Sequence, residues 1–412
     1  MPEPFDPPEV PQSSANSTRG TVSEVAAAFL WLGCTSFGGP IAHVGYFRRE
    51  FVERRRWLNE SQFAQLLAMC QFLPGPASSQ LGFSIGLLRA GMRGALTAFV
   101  AFTLPSAILL FALSEATFAL RSPLGLGMLH GLKLAAVAVV TYAVVRMAHA
   151  MTPDGRRVVI AIGVMLTTLV VRAPWMQLAA IGAGGACGLL WVRLPHCDAP
   201  VELRVPYGRV VAAIAFVLFA SGLTLALVWQ TAAPVLGGTF AAFYRAGALV
   251  FGGGHVVLPL LEQSVVSTGW VSHDAFLAGY GAAQAVPGPM FSLAAFLGAQ
   301  VPTGASPLAG AITAALSIFA PGLLLVVAVL PVWSRVASMT RARRAVSGIN
   351  AAVVGLLAAA LIDPVGQAAL GTIVDVAIAL VALALLWNDR RSALWSVAFC
   401  VASAVALQRL SS

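Results

Sequence analysis

Residues 71–76 read Gln-Phe-Leu-Pro-Gly-Pro, and residues 284–289 read Gln-Ala-Val-Pro-Gly-Pro. Both hexapeptides lie in apolar stretches, where Pro removes a backbone donor and Gly permits irregular backbone. A second pair of breaks precedes them, Phe-Gly-Gly-Pro at 37–40 and Phe-Gly-Gly-Gly at 251–254. The chain therefore interrupts its apolar segments twice, at matching places in two parts of the sequence.

These breaks belong to one long internal repeat. Trp57 recurs as Trp270, and the pair Pro105 and Pro321 also matches. The offset between matching residues stays between 213 and 217 over more than 100 residues. A nearly constant offset over so many Gly and Pro positions indicates a duplication. We predict two homologous halves, 22–195 and 237–412, separated by a linker at 196–236 and preceded by a disordered cytoplasmic tail at 1–21.

The composition requires a membrane. Hydrophobic residues make up 58% of the 412 residues and charged residues only 10%, where a soluble domain has about 25% charged residues. A helical span needs about 20 mostly apolar residues. We therefore predict an all-α polytopic membrane protein with about 13 transmembrane helices, at 22–42, 62–88, 94–119, 126–148, 157–171, 174–192, 208–230, 239–261, 274–299, 307–331, 345–362, 366–387 and 393–408.

Thirteen spans divide into six in each half and one central span, 208–230. An odd number of spans before the second half inverts it, giving the inverted repeat that is common in secondary transporters. Arginine counts favour a cytoplasmic N-terminus and a periplasmic C-terminus, but the cluster from Arg48 to Arg56 falls on the opposite side. Either that loop dips into the protein, or the Pro-Gly-Pro segments are re-entrant hairpins and the count changes.

The paired breaks are the candidate substrate site. Irregular backbone at membrane depth is tolerated only where it is buried in protein or lines a cavity, and a broken helix offers free N–H groups to an anion. A kink that serves packing alone is the alternative. The predicted substrate-binding residues of the breaks are Gly38, Gly39, Gln71, Pro74, Gly75, Pro76, Gly252, Gly253, Gln284, Pro287, Gly288 and Pro289.

Charged and titratable residues near the breaks complete the candidate site. Lys133, the one Lys of the chain, lies within a predicted span, where a charge calls for a partner or an anionic ligand; pairing with Glu115 is the alternative. His43 and His255 each follow a break and could bind an oxyanion or relay a proton. Arg48 belongs to the basic cluster, which would attract a divalent anion or anchor the topology. Glu50 and Glu53 beside it are proton-coupling candidates.

Several classes of function find no support in the sequence. No phosphate-binding loop, zinc-protease helix or nucleophile elbow is present, and the five cysteines form no C-x-x-C pair. We therefore predict no enzyme, no cofactor and no bound metal. The net charge of +9 is the excess expected of arginines flanking membrane spans, so nucleic acid is not predicted as a partner.

The motifs of both halves resemble the chromate ion transporter family. The resemblance rests on residues 37–43, on 51–58, and on 71–76, with 251–255 and 284–289 as the second domain. It covers residues 20–410. The second half departs from the first at the basic cluster, since 262–269 contains no Arg. Most anion contacts are therefore expected in the first half.

The resemblance implies export of chromate from the cytoplasm, driven by the proton motive force, and resistance to chromate. It places the chain in the bacterial inner membrane and implies inverted halves. Sulfate, a similar tetrahedral dianion, is the expected competitor. A sulfate or other oxyanion importer or exchanger, a membrane-embedded reductase and an assembly subunit are the alternatives. The lipid bilayer is a partner, and a homodimer is left open.

Overall fold

The computed structural model describes residues 20–119, 123–171, 175–194, 203, 205–229, 233–252, 254–387 and 393–411. Within these ranges every regular element is a helix. The helices of the first half are α1 (Val22–Thr35), α2 (Gly39–Arg48), α3 (Glu60–Phe72), α4 (Ala77–Ala119), α5 (Pro123–Met151), α6 (Gly155–Val170) and α7 (Met176–Trp191), and α8 (Arg209–Val228) follows them.

The second half repeats this order in shorter pieces. Its helices are α9 (Leu236–Leu249), α10 (Val257–Leu261), α11 (His273–Ala285), α12 (Leu293–Gln300), α13 (Pro307–Val329), α14 (Trp333–Ser338), α15 (Thr340–Ala360), α16 (Gln367–Ala369), α17 (Ile373–Trp387) and α18 (Ala393–Ser411). π-Helical turns extend α2 at Arg49–Arg54, α10 at Glu262–Val266 and α15 at Leu361–Gly366.

Five helical stretches are long and apolar enough to cross a membrane. Each has at least the roughly 20 residues that a span needs. Shorter apolar helices accompany them, including α7, α17 and most of α18. The long stretches are Ala77–Ala116, Gly127–Met151, Arg209–Val228, Pro307–Ser338 and Thr340–Ala369. The fold is that of a helical, polytopic membrane protein.

Four predicted spans are interrupted helices. The stretch 22–42 divides at Ser36, where α1 ends, and 62–88 divides at Pro74 to Pro76, between α3 and α4. The stretches 239–261 and 274–299 divide in the same way at 250–252 and 286–289. Pro and positive-φ Gly cause the breaks, because neither continues a helix. In this respect the structure differs from a series of thirteen continuous spans.

Each interrupted stretch of the first half folds back on itself. Phe29 of α1 stacks on Phe51, with ring centroids 4.9 Å apart, and Trp57 Nε1 donates to Glu24 Oε1 at 3.1 Å. Arg89, beyond the break in α3–α4, reaches the same Glu24 at 3.1 Å. Both ends of both hairpins therefore lie at one end of the molecule, which we call face A.

The hairpins of the second half return to the opposite end. Helix α4 turns sharply at Ala90 and Gly91, and its second arm, 92–119, is about 40 Å long. Near the far end of that arm, Gln300 Nε2 donates to the Ser114 carbonyl at 3.2 Å. The start of α9 and Trp270 border one common cavity. We call this end of the molecule face B.

The remaining helices form a bundle beside the hairpins. α5 packs on α18 and α15 packs on α7, each through glycine. A Cβ on Gly131 would meet the backbone of Val401 at 2.5 Å, and one on Gly348 would meet the carbonyl of Gly184 at 2.1 Å. The two contacts occupy matching positions of the two halves, so the bundle keeps the internal repeat.

Candidate transport site

The tips of the hairpins meet in the interior, and each half bonds to the other there. Gly75 N–H donates to the Val250 carbonyl at 2.7 Å, and Gly288 N–H donates to the Ser36 carbonyl at 2.9 Å. Ser36 and Val250 are the last residues before the Phe-Gly-Gly breaks, so each Pro-Gly-Pro tip caps the broken helix of the other half. The predicted breaks are brought together as reciprocal pairs.

Glycine is required at the Pro-Gly-Pro tips. Gly75 has φ +122° and Gly288 has φ +100°, a backbone region that favours glycine. A Cβ on Gly75 would come within 2.9 Å of the Gly322 backbone, and one on Gly288 within 2.9 Å of Ser106 Oγ. Pro105 and Pro321 precede these two neighbours. The matching prolines thus mark where each long helix receives the tip of the other half.

Side chains tie the tips to their surroundings. Gln80 Nε2 donates to the Pro74 carbonyl at 2.9 Å and to the Gly322 carbonyl at 3.1 Å. The hydroxyls of Ser106 and Ser292 share a hydrogen bond of 2.6 Å. These residues were not among the predicted site residues. Their signal in the sequence is position, since Gln80 follows one tip and Ser292 the other by a few residues.

Several buried polar atoms around the tips have no hydrogen-bond partner among the described residues. Buried polar groups are normally paired, and an exception calls for an explanation such as a ligand or water. These atoms belong to residues at the first-half tips or on the helices that border those tips. They are Ser36 Oγ, His43 Nδ1, Ser79 Oγ, Gln80 Oε1, Thr103 Oγ1 and Asn350 Oδ1.

His43 is fully buried beside the first break. Its Nε2 lies 3.2 Å from the Ser36 carbonyl, and its ring meets Phe102 edge-on at 5.3 Å between centroids. Because a carbonyl only accepts, Nε2 carries the proton in this contact and Nδ1 is an acceptor without a donor. His43 therefore offers a proton acceptor at the tips.

The two glutamines that begin the Pro-Gly-Pro hexapeptides differ in exposure. Gln71 is exposed, whereas Gln284 is 6% exposed and its Nε2 donates to Met290 Sδ at 2.9 Å. Gly38 is exposed and Gly39 is partly exposed. Among the second-half residues predicted with them, Gly252 is partly exposed, Gly253 lies outside the described residues, and His255 is described only through its backbone.

Lys133 lies away from the first break, on the face of α5 that meets α11. Its Nζ donates to Asp274 Oδ1 at 2.6 Å, and its side chain is only 14% exposed. Its partner is Asp274 and not Glu115. Asn350, the repeat counterpart of Lys133, does lie beside a break, since a Cβ on Gly252 would come within 3.5 Å of its Oδ1.

The basic cluster lies at face A and is largely paired. Arg48 bonds to Glu60 and, at 2.9 Å, to Glu53. Glu50 accepts from Arg54 at 3.1 Å and from Arg55 at 2.5 Å. Burial alone raises the pKa of the Glu50 carboxyl, but the hydrogen bonds and charges of Arg55 and Arg54 outweigh it, so the pKa lies below its ordinary value.

Broken helices whose tips cross-bond in the interior of a polytopic helical protein are typical of membrane transporters. The family profile described as Chromate transporter matches residues 23–189 and 237–406. The chain belongs to the chromate transporter family.

Named relatives cover most of the chain. A chromate transport protein of Pseudomonas aeruginosa is 30% identical over 346 residues, 82% of this chain and 80% of the relative. A probable chromate transport protein of Synechococcus elongatus is 29% identical, with 89% and 90% coverage. The chromate transport protein of Cupriavidus metallidurans is 29% identical, with 88% and 86% coverage. No solved structure matches the chain.

Proposed function

We propose that this protein is a secondary transporter that exports chromate across the inner membrane, driven by the proton motive force, and thereby confers chromate resistance. The observation that carries the proposal is the reciprocal bonding of the two Pro-Gly-Pro tips to the two Phe-Gly-Gly breaks, among buried polar atoms without partners. Family membership supports chromate as the cargo, and the sequence contains no ATP-binding motif that would indicate another energy source.

The proposed topology has nine membrane crossings and four re-entrant hairpins. Each half, 22–195 and 237–412, contributes two hairpins and four crossing helices, and α8 is the ninth crossing. An odd count inverts the second half, in line with hairpins that start from face A in the first half and from face B in the second. The interrupted helices support the re-entrant alternative that the sequence left open.

Arginine placement supports a cytoplasmic face A. Among the described residues, the cluster from Arg48 to Arg56 lies at the same end of the molecule as Arg89. In the thirteen-span topology this cluster lay on the opposite side and counted against that topology. Only Arg245 and Arg409 of the described arginines lie toward face B. Positive residues concentrate on the cytoplasmic side. The N-terminus is therefore assigned to the cytoplasm and the C-terminus to the periplasm.

The proposed anion site lies at the first-half tips. Helix α2 begins at Gly39 and α4 begins at Ala77, so two helix N-termini with free N–H groups border the break region, and such termini attract anions. The hydroxyls of Ser36 and Ser79 are buried donors without partners. Together, these N–H and hydroxyl groups can replace the water that hydrates a tetrahedral dianion. None of them carries a fixed positive charge.

Access is proposed to be from face A in this conformation. Helix α11 packs along α5 and α18, which closes the second-half side, while α3 makes no comparable contact with α15 or α7 in the described part of the chain. The exposed Gln71 and Gly38 lie on this unsealed side. Arg49 and Arg56 of the face A cluster have no ion-pair partner among the described residues and would concentrate the dianion there.

Proton coupling is proposed to run through His43, whose Nδ1 is a buried acceptor. Glu50 and Glu53 remain secondary candidates, because arginines already neutralise both carboxylates. A proton arriving at His43 would place a positive charge beside the anion in one state of the cycle and remove it in the other. Because His43 would be charged in only one state of the cycle, anion binding would be coupled to the proton gradient.

The test is chromate accumulation in everted inner-membrane vesicles energised by respiration. We expect uptake that a protonophore abolishes and that excess sulfate competes away. Ser79→Ala with Ser36→Ala should reduce uptake, whereas Ser221→Ala on α8, which is largely exposed, should leave it unchanged. Uptake no greater than in vesicles lacking the protein would contradict export. Uptake only into right-side-out vesicles would instead identify an importer, of sulfate or another oxyanion.

A further inference from the structure

A cavity of about 470 Å³ lies near face B, between the second half and the helices α7 and α8. Its walls come from the start of α7, one side of α9, the end of α8 and the segment 260–270 that follows the second Phe-Gly-Gly break. Gly238, Arg245 and Trp270 line it, together with the polar side chains of Gln177, Ser264 and Thr268. The cavity runs along α9 from Gly238 to Leu249, and none of its described lining residues belongs to a Pro-Gly-Pro motif or to the proposed site.

The first half fills the corresponding space with its own ion pair. There Glu24 accepts from Trp57 Nε1 at 3.1 Å and pairs with Arg89 at 3.1 Å, and the Arg89 guanidinium lies 5.1 Å from the Trp57 ring centre. At the repeat offset, Trp57 corresponds to Trp270 and Glu24 to Gly238. The second half keeps the tryptophan and has lost the carboxylate.

Arginine is retained in the second half at a different place. The offset puts Pro302 where the first half has Arg89, and Arg245 where it has Trp31. Arg245 is partly buried, and it has no hydrogen bond or ion pair to any described residue. A guanidinium within a membrane protein is normally paired. The cavity thus combines a cation without a partner and a space that an anion fills in the other half.

We propose that this cavity binds a tetrahedral oxyanion through Arg245. The planar guanidinium matches such an anion by two parallel hydrogen bonds. Gln177 has a second amide N–H beside the one that it donates to the Pro259 carbonyl, whereas the hydroxyls of Ser264 and Thr268 already donate to backbone carbonyls. Trp270, which is 8% exposed, adds an apolar wall beside the guanidinium. The anion is either a free dianion, such as sulfate or chromate on the face B side, or the phosphate of a lipid headgroup.

The experiment measures binding of radiolabelled sulfate to the purified full-length chain in phosphate-free maltoside detergent. In Arg245→Gln we expect one class of saturable site to lose about tenfold to a hundredfold in affinity, because a charge-assisted hydrogen bond is lost. Gly238→Glu restores the carboxylate of the first half and should give the same loss while keeping the arginine. Arg409→Gln, near the same face, should bind as the wild type does.

Phospholipid distinguishes the two sources of the anion. If a headgroup is the occupant, phosphatidylglycerol displaces the labelled sulfate, and the wild type retains more lipid phosphorus than Arg245→Gln does. If the occupant is a free dianion, the lipid has no effect on sulfate binding. Equal sulfate binding and equal lipid retention in the wild type, Arg245→Gln and Gly238→Glu overturn the proposal.

Two features keep this test independent of folding and of transport. Thermal midpoints compare the variants, and Arg245→Lys, which keeps the charge, should lose less affinity than Arg245→Gln. The assay compares variants at face B, so it reports on the cavity even if everted vesicles take up no chromate. If vesicles take up no chromate but sulfate binding still depends on Arg245, the export proposal is rejected and the proposed anion site is retained.

Discussion

Helices α3 and α11 occupy matching positions in the two halves, yet they have different neighbours. On α11 the face with Gly281 is buried, and a Cβ there would lie 2.1 Å from the Leu132 carbonyl of α5. On α3 the matching face, with Ala68 and Gln71, is exposed. One fold thus adopts a sealed arrangement in one half and an unsealed arrangement in the other.

If the halves exchange arrangements during transport, the α3 face must come to rest on α15 as the α11 face now rests on α5. The repeat offsets identify the contact, because Ala68 corresponds to Gly281 and Ile349 to Leu132. Small residues on the α3 face, Ala64 and Ala68, permit such a close approach.

The sharpest test of the comparison is a cross-link between Ala68→Cys and Ile349→Cys in a chain whose five native cysteines are replaced. We expect no disulfide at rest and nearly complete formation during turnover, because a disulfide needs Cα atoms within about 7 Å. Gel mobility of energised vesicles measures it. The pair Ser61→Cys and Ile349→Cys, two helical turns away, should stay unlinked. A permanently unlinked Ala68 pair would show that α3 never seals.

Gly281→Leu should have the next largest effect. Its side chain would collide with the α5 backbone, and overpacking of this kind costs roughly 1–3 kcal/mol. The sealed arrangement would lose about five- to 150-fold in population, and chromate uptake would fall with it. Thermal midpoint and uptake are the measurements. Ala68→Leu is the matched control: its thermal midpoint should be unchanged, while its uptake falls because the other seal cannot form.

The pair Lys133 and Asp274 should contribute less, because Asp274 is 67% exposed. Asp274→Asn leaves a nearly buried cation without its partner and weakens the seal between α5 and α11. We expect a loss of about 1 kcal/mol, or roughly fivefold in uptake. The reversed pair, Lys133→Asp with Asp274→Lys, should recover part of it. Equal uptake by the wild type, Asp274→Asn and the reversed pair would show that this ion pair does not contribute to the seal.

Glu50→Gln should give the smallest change. It copies the second half, where Gln263 is the counterpart. Because the folded-state pKa of Glu50 lies below the ordinary value of 4.5, its stabilisation is present at neutral pH and is lost as the pH falls through that lowered pKa. The variant should lose about 1 kcal/mol at pH 7. Thermal midpoints of the two proteins should converge at acidic pH, and a constant difference would contradict this role.

Sequence alone predicted the duplication, the helical class and the four breaks, because Gly and Pro positions leave direct marks. It could not separate a span from a hairpin, since 22–42 has the apolar length of either. The signal in the sequence was the arginine cluster at Arg48 to Arg56, which the thirteen-span topology placed on the side opposite to most other arginines. The partner of Lys133 lies 141 residues away, and no local pattern reveals such a contact. Ser36, Ser79 and Gln80 escaped notice because serine and glutamine carry no motif of their own.

The bond from Gly75 to Val250 has a consequence for synthesis. Val250 leaves the ribosome 175 residues after Gly75, which at roughly 5–20 residues per second is a delay of about 9–35 s. During that time the Gly75 N–H lacks the Val250 carbonyl that accepts its hydrogen bond in the folded protein. The nascent first half therefore exposes an incomplete interface until the second half is made. The speed of translation sets how long that interface must be shielded.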